Sequence, residues 1–375
     1  MHKALPCANK LPVKVSNVAS KNTSSICKSA PQLEGMVPYD PKYMPADAFM
    51  SANENPFGVP ERIRQEIDKA ISGVSLNRYP NPLANALRKE IAKGLGVETN
   101  QVLVGNGGDE LLFDIALAWG GPDRKFLNLP PTFSVYETNA RLTNTEVVRV
   151  PRRGDYSVAE EELLMRASKG DISYIILTNP NNPTGNLTSA SFIRALLEAT
   201  NALVLVDEAY CEFAKASVVQ LLKHFENLCI LRTFSKAYGL AACRVGYLLG
   251  SAYVISELLK VRQPYSVNAL SQAAAHVVYK NRKAFEPLTD AIIAQRERMF
   301  AALAKIPNIK VFPTRANFML VNVPHAHNVW EKLYERGILV RDFSGSPALE
   351  NCLRLTVGTP EQNDALISAL EQLVC

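Results

Sequence analysis

The chain has 375 residues, 47% hydrophobic and 21% charged, enough to bury a substantial core and to divide into two domains. Its formal charge of +5 is concentrated in residues 1–35, which hold five lysines against Glu34 alone; the remainder is left with about +1, no footprint for nucleic acid. No apolar run reaches membrane-spanning length, so neither a nucleic acid nor a membrane is expected as partner.

Residues 1–35 are rich in Ser, Lys and Asn, contain no Asp or Arg, and lack amphipathic periodicity, so a disordered N-terminal extension is expected there. Low acidity and many serines also characterise organellar transit peptides, against which the missing arginine counts; an upstream start ahead of Met36 is a third reading. From Pro38 onward short apolar runs alternate with helical stretches. The strand-like runs are 102–104, 125–129, 146–150, 174–178, 203–206, 229–232 and 245–249, and the helical stretches include 110–119, 158–167 and 188–199. This alternation predicts an α/β domain with a mostly parallel sheet. After Pro264 the pattern changes: a charged amphipathic stretch over 282–305 precedes strand-like 311–313 and 317–323, a helix over 328–336, a strand over 338–341 and a last helix from Pro360. A smaller α+β domain is expected over 281–375, joined by residues 36–75, with the large domain over 76–280. The seven cysteines (Cys7, Cys27, Cys211, Cys229, Cys243, Cys352 and Cys375) form no CxxC pair, so reduced thiols in a cytoplasmic compartment are expected, with no disulfide framework and no metal site. Cys243 reads as a packing residue.

Several motifs carry chemistry. Gly105-Asn-Gly-Gly108-Asp109-Glu110 follows a short strand and opens an apolar helix, where backbone N–H groups can bind an anion; the plainer reading is a glycine turn capped by Asp109. In Thr178-Asn-Pro-Asn-Asn182-Pro-Thr-Gly185 a dense turn signal ends a strand, and Asn182 can donate to a phenolate oxygen. Asp207 ends the run Leu203-Val-Leu-Val, where an ionised carboxylate needs a partner, which a protonated pyridine nitrogen supplies; Tyr210 can reach the same ring's phenolate, and an N-cap is the alternative for Asp207. In Leu231-Arg-Thr233-Phe-Ser235-Lys236-Ala-Tyr-Gly a lysine able to form an imine stands beside two hydroxyls, with Arg244 further on, a combination suited to pyridoxal 5'-phosphate.

Together with Ser51-Ala-Asn-Glu-Asn-Pro-Phe-Gly58, Asn77-Arg-Tyr79-Pro80, Pro130-Pro-Thr-Phe133 and Leu353-Arg354-Leu-Thr-Val-Gly-Thr359, these motifs resemble the fold-type I, aspartate-aminotransferase-like superfamily over roughly residues 38–372. Within it they resemble the histidinol-phosphate aminotransferase family. The resemblance implies a large domain with a mostly parallel seven-stranded sheet, a smaller α+β domain, and pyridoxal 5'-phosphate held by Lys236 as the imine lysine. It further implies Asp207 as pyridinium partner, Tyr210 and Asn182 on the ring hydroxyl, Phe133 stacked on the ring, and Gly108, Asp109, Thr233, Ser235 and Arg244 around the phosphate. Tyr79 matches a tyrosine that reaches the neighbouring subunit's phosphate, which implies a homodimer with shared sites. Arg354 matches the arginine for the substrate's anionic group, with Arg341 a second charge and Asn53 and Tyr265 as further wall residues.

The implied reaction is transamination between histidinol phosphate and 2-oxoglutarate, a step of histidine biosynthesis. An aromatic amino-acid aminotransferase or a threonine-phosphate decarboxylase would share the cofactor residues. Two departures stand out: Ala242-Cys243 replaces the Gly-Leu usual before the arginine, and Tyr39-Asp-Pro-Lys-Tyr43 does not align with a family substrate-binding tyrosine.

Overall fold

The computed structural model describes residues 27–38, 40, 42 and 44–374. The proposed extension therefore lies largely outside the described residues, as do Cys7, Cys375 and the aromatics Tyr39 and Tyr43. Contacts divide the chain into 1–39 and 40–375. The described part of the first unit holds a 3-10 turn, Pro31–Leu33, closed by the Glu34 N–H on the Pro31 carbonyl.

The second unit contains two sheets. Strands β2 (Val102–Gly105), β3 (Lys125–Asn128), β4 (Glu146–Arg149), β5 (Tyr174–Thr178), β6 (Leu203–Asp207), β7 (Leu228–Thr233) and β8 (Gly246–Gly250) form a seven-stranded sheet in the order β2-β8-β7-β6-β5-β3-β4. Only β8 runs against its neighbours; every other pairing is parallel. Both faces are covered over the inner strands, which is why these read as unbroken apolar runs rather than alternating ones; the edge strand β4 is only half-buried at Val147 and Val148. On one face Ile175, Leu177, Val204, Val206 and Ile230 pack with helices α2 (Asn85–Leu95) and α6 (Ala190–Ala199). On the other, Tyr174, Ile176, Leu205, Cys229 and Leu231 pack with α3 (Gly107–Trp119) and α8 (Ala252–Val261).

The smaller sheet has the order β1-β11-β12-β10-β9, from β1 (Ala48–Met50), β9 (Lys310–Val311), β10 (Phe318–Asn322), β11 (Ile338–Asp342) and β12 (Cys352–Thr356). Strand β1, three residues long, joins β11 in parallel, so the chain enters this sheet early and returns to it after residue 309. Helices α10 (Glu286–Leu303), α11 (Ala326–Glu335) and α12 (Pro360–Val374) bury Ile292, Met299, Leu333, Leu366 and Leu370 against it. Helix α1 (Glu61–Ser72) instead packs on α9 (Ala269–Lys280), beside the large sheet. The helices α4 (Val135–Leu142), α5 (Glu160–Ala167) and α7 (Cys211–Ala214) complete the set. No helix among the described residues is long and apolar enough to cross a membrane.

Two boundaries differ from the sequence expectation for identifiable reasons. Helix α6 starts at Ala190 rather than Thr188 because the Ser189 side chain accepts the Phe192 N–H and fixes the cap there. Helix α3 starts at Gly107, so Asp109 sits inside its first turn and is not the cap.

The ends of β2, β8 and β7 are set by register: Gly105 faces Gly246, and Gly246 faces Thr233. Gly246 lies so near the α3 start that an added Cβ would stand 2.9 Å from the Gly107 carbonyl carbon and 3.1 Å from the Gly108 nitrogen. Backbone cannot yield as a flexible side chain does. Gly246→Ala is therefore expected to lose roughly 1–3 kcal/mol of stability, read as a lower urea midpoint at unchanged slope.

Candidate active site

Five loops meet at the carboxyl ends of the strands that share one direction, the usual location of ligand sites on such sheets. The ends of β2, β3, β5, β6 and β7 and the segments just after them carry Gly108 and Asp109, Phe133, Asn182, Asp207 and Tyr210, and Thr233, Ser235 and Lys236, respectively. Register aligns them: Thr178 of β5 faces Asp207 of β6, which faces Leu231 of β7.

Lys236 sits in the turn after β7, between Phe234, buried in the large-sheet core, and Ala237, buried in the small-sheet core. Its Nζ donates to the Ala52 carbonyl at 2.8 Å. Burial pulls its pKa down to about 8, with the positive charges of Arg354 and Arg244 adding to the effect and Glu54 and Asp109 opposing it. Near neutral pH an appreciable fraction of this amine is thus unprotonated and nucleophilic.

Asp207 is 5% exposed and takes two donors, the Tyr136 hydroxyl on Oδ2 at 2.7 Å and the Ala209 N–H on Oδ1 at 3.0 Å. Desolvation raises its pKa to about 6 in spite of those bonds. It does not cap α7, whose N-cap position is Tyr210. Tyr210 is buried edge-on to Phe318, and its hydroxyl accepts from Asn53 Nδ2 at 3.0 Å.

The turn between β2 and α3 is built from close backbone approach. The α3 N-terminus has no side-chain cap, and Arg244, held in a left-handed conformation (φ 51°), crosses Gly107 where a Cβ would lie 2.7 Å from its Nη2. Arg244 pairs with Asp109 at 3.0 Å, and Thr233 Oγ1 donates to Ser235 Oγ at 3.0 Å. Phe133 stands edge-on to Tyr136 at 5.6 Å.

Arg354 lies on β12, where Leu353 and Leu355 enter the small-sheet core and Arg354 faces the other way by the two-residue period. It donates to Asn182 Oδ1 at 2.6 Å and to the Ser51 carbonyl at 2.5 Å, and it lies over the Phe318 and Phe343 rings. Arg341 is its direct cross-strand partner and donates to the Asp40 carbonyl at 3.3 Å. Asn53, with φ 55°, clasps Thr356 through its N–H and Oδ1. Tyr79 and Tyr265 stand apart from this cluster in their contacts: their rings stack at 4.7 Å, 83% and 43% exposed.

Sequence reasoning missed Tyr136, which binds Asp207, and the Ser51 and Ala52 carbonyls, which bind Arg354 and Lys236. Tyr136 lies three residues after Phe133, at the start of α4, a spacing that could have flagged it; backbone carbonyls leave no such trace.

Residues 49–370 match the family model for aminotransferase class I and II. Histidinol-phosphate aminotransferase 1 of Carboxydothermus hydrogenoformans is 41% identical over 338 residues, covering 90% of this chain and 96% of that protein. Histidinol-phosphate aminotransferase of Thermoanaerobacter pseudethanolicus is 37% identical over 92% of this chain and 97% of its own length. The crystal structure of histidinol-phosphate aminotransferase from Sinorhizobium meliloti in complex with pyridoxal-5'-phosphate superposes with a TM-score of 0.85 at 24% identity, covering 94% of this chain and 99% of that one. The chain belongs to the aminotransferase class I and II family.

Tyr136→Phe removes a bond that favours the Asp207 carboxylate, so the Asp207 pKa should rise further. A raised folded-state pKa means that the neutral acid is favoured in the fold: stability contributed by this group falls as pH climbs from about 4 through about 6. In the cofactor-free protein, denaturation as a function of pH should show that decline, and in Tyr136→Phe it should extend to higher pH.

Proposed function

We propose that the chain transfers the amino group of histidinol phosphate to 2-oxoglutarate, giving imidazole acetol phosphate and glutamate in histidine biosynthesis, with pyridoxal 5'-phosphate as cofactor. The observation that carries this reading is one cleft in which a reactive amine, Lys236, feels the charge of Arg354, itself opposed in register by Arg341. The names of the relatives support the substrate.

The residues present fit the cofactor: an uncapped helix start crossed by Arg244 suits a phosphate, and a buried carboxylate with no cationic partner within 4.0 Å among the described residues suits a ring cation. When bound, pyridoxal 5'-phosphate supplies a carbonyl for the amines and an electron-poor ring for the charge left at the substrate carbon. The N–H groups of Gly108 and Asp109, with Thr233, Ser235 and Arg244, would hold its phosphate, and Asp207 would keep a proton at its ring nitrogen. Asn182, with Oδ1 engaged by Arg354, has Nδ2 to offer the ring oxygen beside Tyr210. Phe133 would cover a ring face. Lys236 anchors and then moves the proton at the substrate's reacting carbon. Arg354, with Arg341 beside it, would receive either glutamate's carboxylate or the phosphate ester, since a guanidinium binds both through two prongs. Asn53, through Tyr210 and Thr356, would complete the wall, which Tyr265, stacked on Tyr79 apart from this cluster, does not join through any contact among the described residues.

The same reading takes residues 76–280 as the cofactor domain and 36–75 with 281–375 as the smaller one; the β1–β11 pairing supports this for residues 48–50, whereas α1 packs into the large-sheet core instead. It includes a homodimer in the cytoplasm in which Tyr79, exposed and propped on Tyr265, reaches the neighbouring subunit's phosphate.

Half-reaction kinetics test the substrate. Histidinol phosphate should discharge the cofactor's visible absorbance far faster than phenylalanine, tyrosine or threonine phosphate; a preference for an aromatic amino acid would overturn the assignment, and carbon dioxide release from threonine phosphate would make the chain a decarboxylase. Arg354→Lys keeps the charge but loses the fork, so kcat/KM should fall about 30- to 150-fold with glutamate and with histidinol phosphate alike.

Subunit mixing tests the dimer. Tyr79→Phe chains combined with Lys236→Ala chains should recover part of the activity, because one site per heterodimer would carry neither lesion. Proven exchange without recovery would assign Tyr79 to its own chain.

A further inference from the structure

A cavity of about 660 Å³ opens where the loops after β4 and β5 meet α10 and the turn before β10, and its lining includes none of the residues grouped around Lys236. Four arginines line it: Arg152, Arg153, Arg296 and Arg315. Arg296 is satisfied, donating to Glu297 at 2.7 Å and to the Phe213 and Ala316 carbonyls at 3.2 Å. Arg152, Arg153 and Arg315 form no ion pair among the described residues, and neither does Glu160, the other carboxylate in the wall. Asp155 stands near Arg153, but its Oδ1 already accepts from the Ser157 N–H and hydroxyl.

Arg152 is the decisive group. It is 8% exposed, its Nε is buried without a hydrogen-bond partner, and Nη1 reaches only the Tyr156 carbonyl at 3.2 Å. Its backbone leaves little choice of position, because the Arg152 N–H is fixed on the Pro130 carbonyl at 2.8 Å. Burial lowers its pKa to about 10, so it remains a cation at neutral pH. An unpaired buried cation is costly unless an anion joins it. The positive end of α6, a helix of 10 residues, adds to the field, since its cap Ser189 also lines the cavity.

We propose that this cavity is a second anion site, separate from the Lys236 cleft, that takes a phosphate group, either free phosphate or a small phosphate monoester. A tetrahedral dianion offers acceptors to Arg152, Arg153 and Arg315 together and balances the excess positive charge of the wall. The wall draws on loops of the large sheet and on α10, which packs on the small sheet, so an occupant ties the two layers together.

The test is calorimetric titration of the holoenzyme with inorganic phosphate, in wild type and in Arg153→Glu/Arg315→Glu, whose altered side chains are exposed and lie outside the Lys236 cleft. Wild type should show a class of binding that the double variant lacks or holds at least about tenfold more weakly, with kcat and KM unchanged. Arg152→Met, which removes an unpaired buried charge, should stay folded and lose the same class. A second arm with glycerol 3-phosphate separates the sources: tighter binding than inorganic phosphate, with the same arginine dependence, identifies a monoester, and binding no tighter identifies free phosphate. Identical phosphate isotherms for wild type and a folded, active double variant would overturn the proposal.

Discussion

The carboxylate of Asp207 is the constraint around which the site is organised. It ends a central strand, is almost wholly buried, and among the described residues is held by a phenol and one backbone N–H. Those two bonds do not offset its desolvation, as its raised pKa indicates. A cationic ring nitrogen would complete the balance, and the surrounding elements are arranged for a ring: a flanking aromatic at Phe133, hydroxyls at Thr233 and Ser235, and an uncapped helix start crossed by Arg244.

Neither sheet alone could build this cleft. The lysine turn is pinned in one core by Phe234 and in the other by Ala237, and the segment from Ser51 to Gly58 runs alongside it. That segment offers the Ala52 carbonyl to Lys236, the Ser51 carbonyl to Arg354 and the Asn55 amide to the Ala237 carbonyl. Gly239 (φ 64°) lies close enough to Gly58 that a Cβ there would stand 3.2 Å from its carbonyl carbon. The composition of this segment, small and amide-rich, follows from having to pass between a lysine, an arginine and a turn without displacing any of them.

This division also explains what could be read from the sequence. Most strands of the large sheet were legible because a strand buried on both faces must be apolar along its length, while the edge strand β4 showed only through Val147 and Val148. The lysine turn was legible because hydroxyls, glycines and cations around one lysine are an unusual composition. Strand β1 was not, since three residues give no periodicity. The facing of Arg341 and Arg354 depends on antiparallel register between strands joined through a 3-10 turn and loops, and nothing local encodes it. Tyr136 was hidden for another reason: on a helix it resembles any core aromatic, and its hydroxyl acquires meaning only once β6 ends beside it.

In the proposed reaction, substrate binding and lysine basicity are linked. After burial, the charge of Arg354 is the largest cause of the lowered Lys236 pKa, and Arg354 is also the group proposed to meet the substrate's anion. An anion on Arg354 would cancel much of that charge and remove one of the causes that weaken the amine, leaving burial and the more weakly acting Arg244. Lys236 would then be a stronger base with substrate in place than without it. Arg354 would thus act beyond recognition: while the site is empty it keeps the amine less protonated and more nucleophilic, and once an anion fills it the same amine would hold a proton more firmly as it moves from the substrate's carbon.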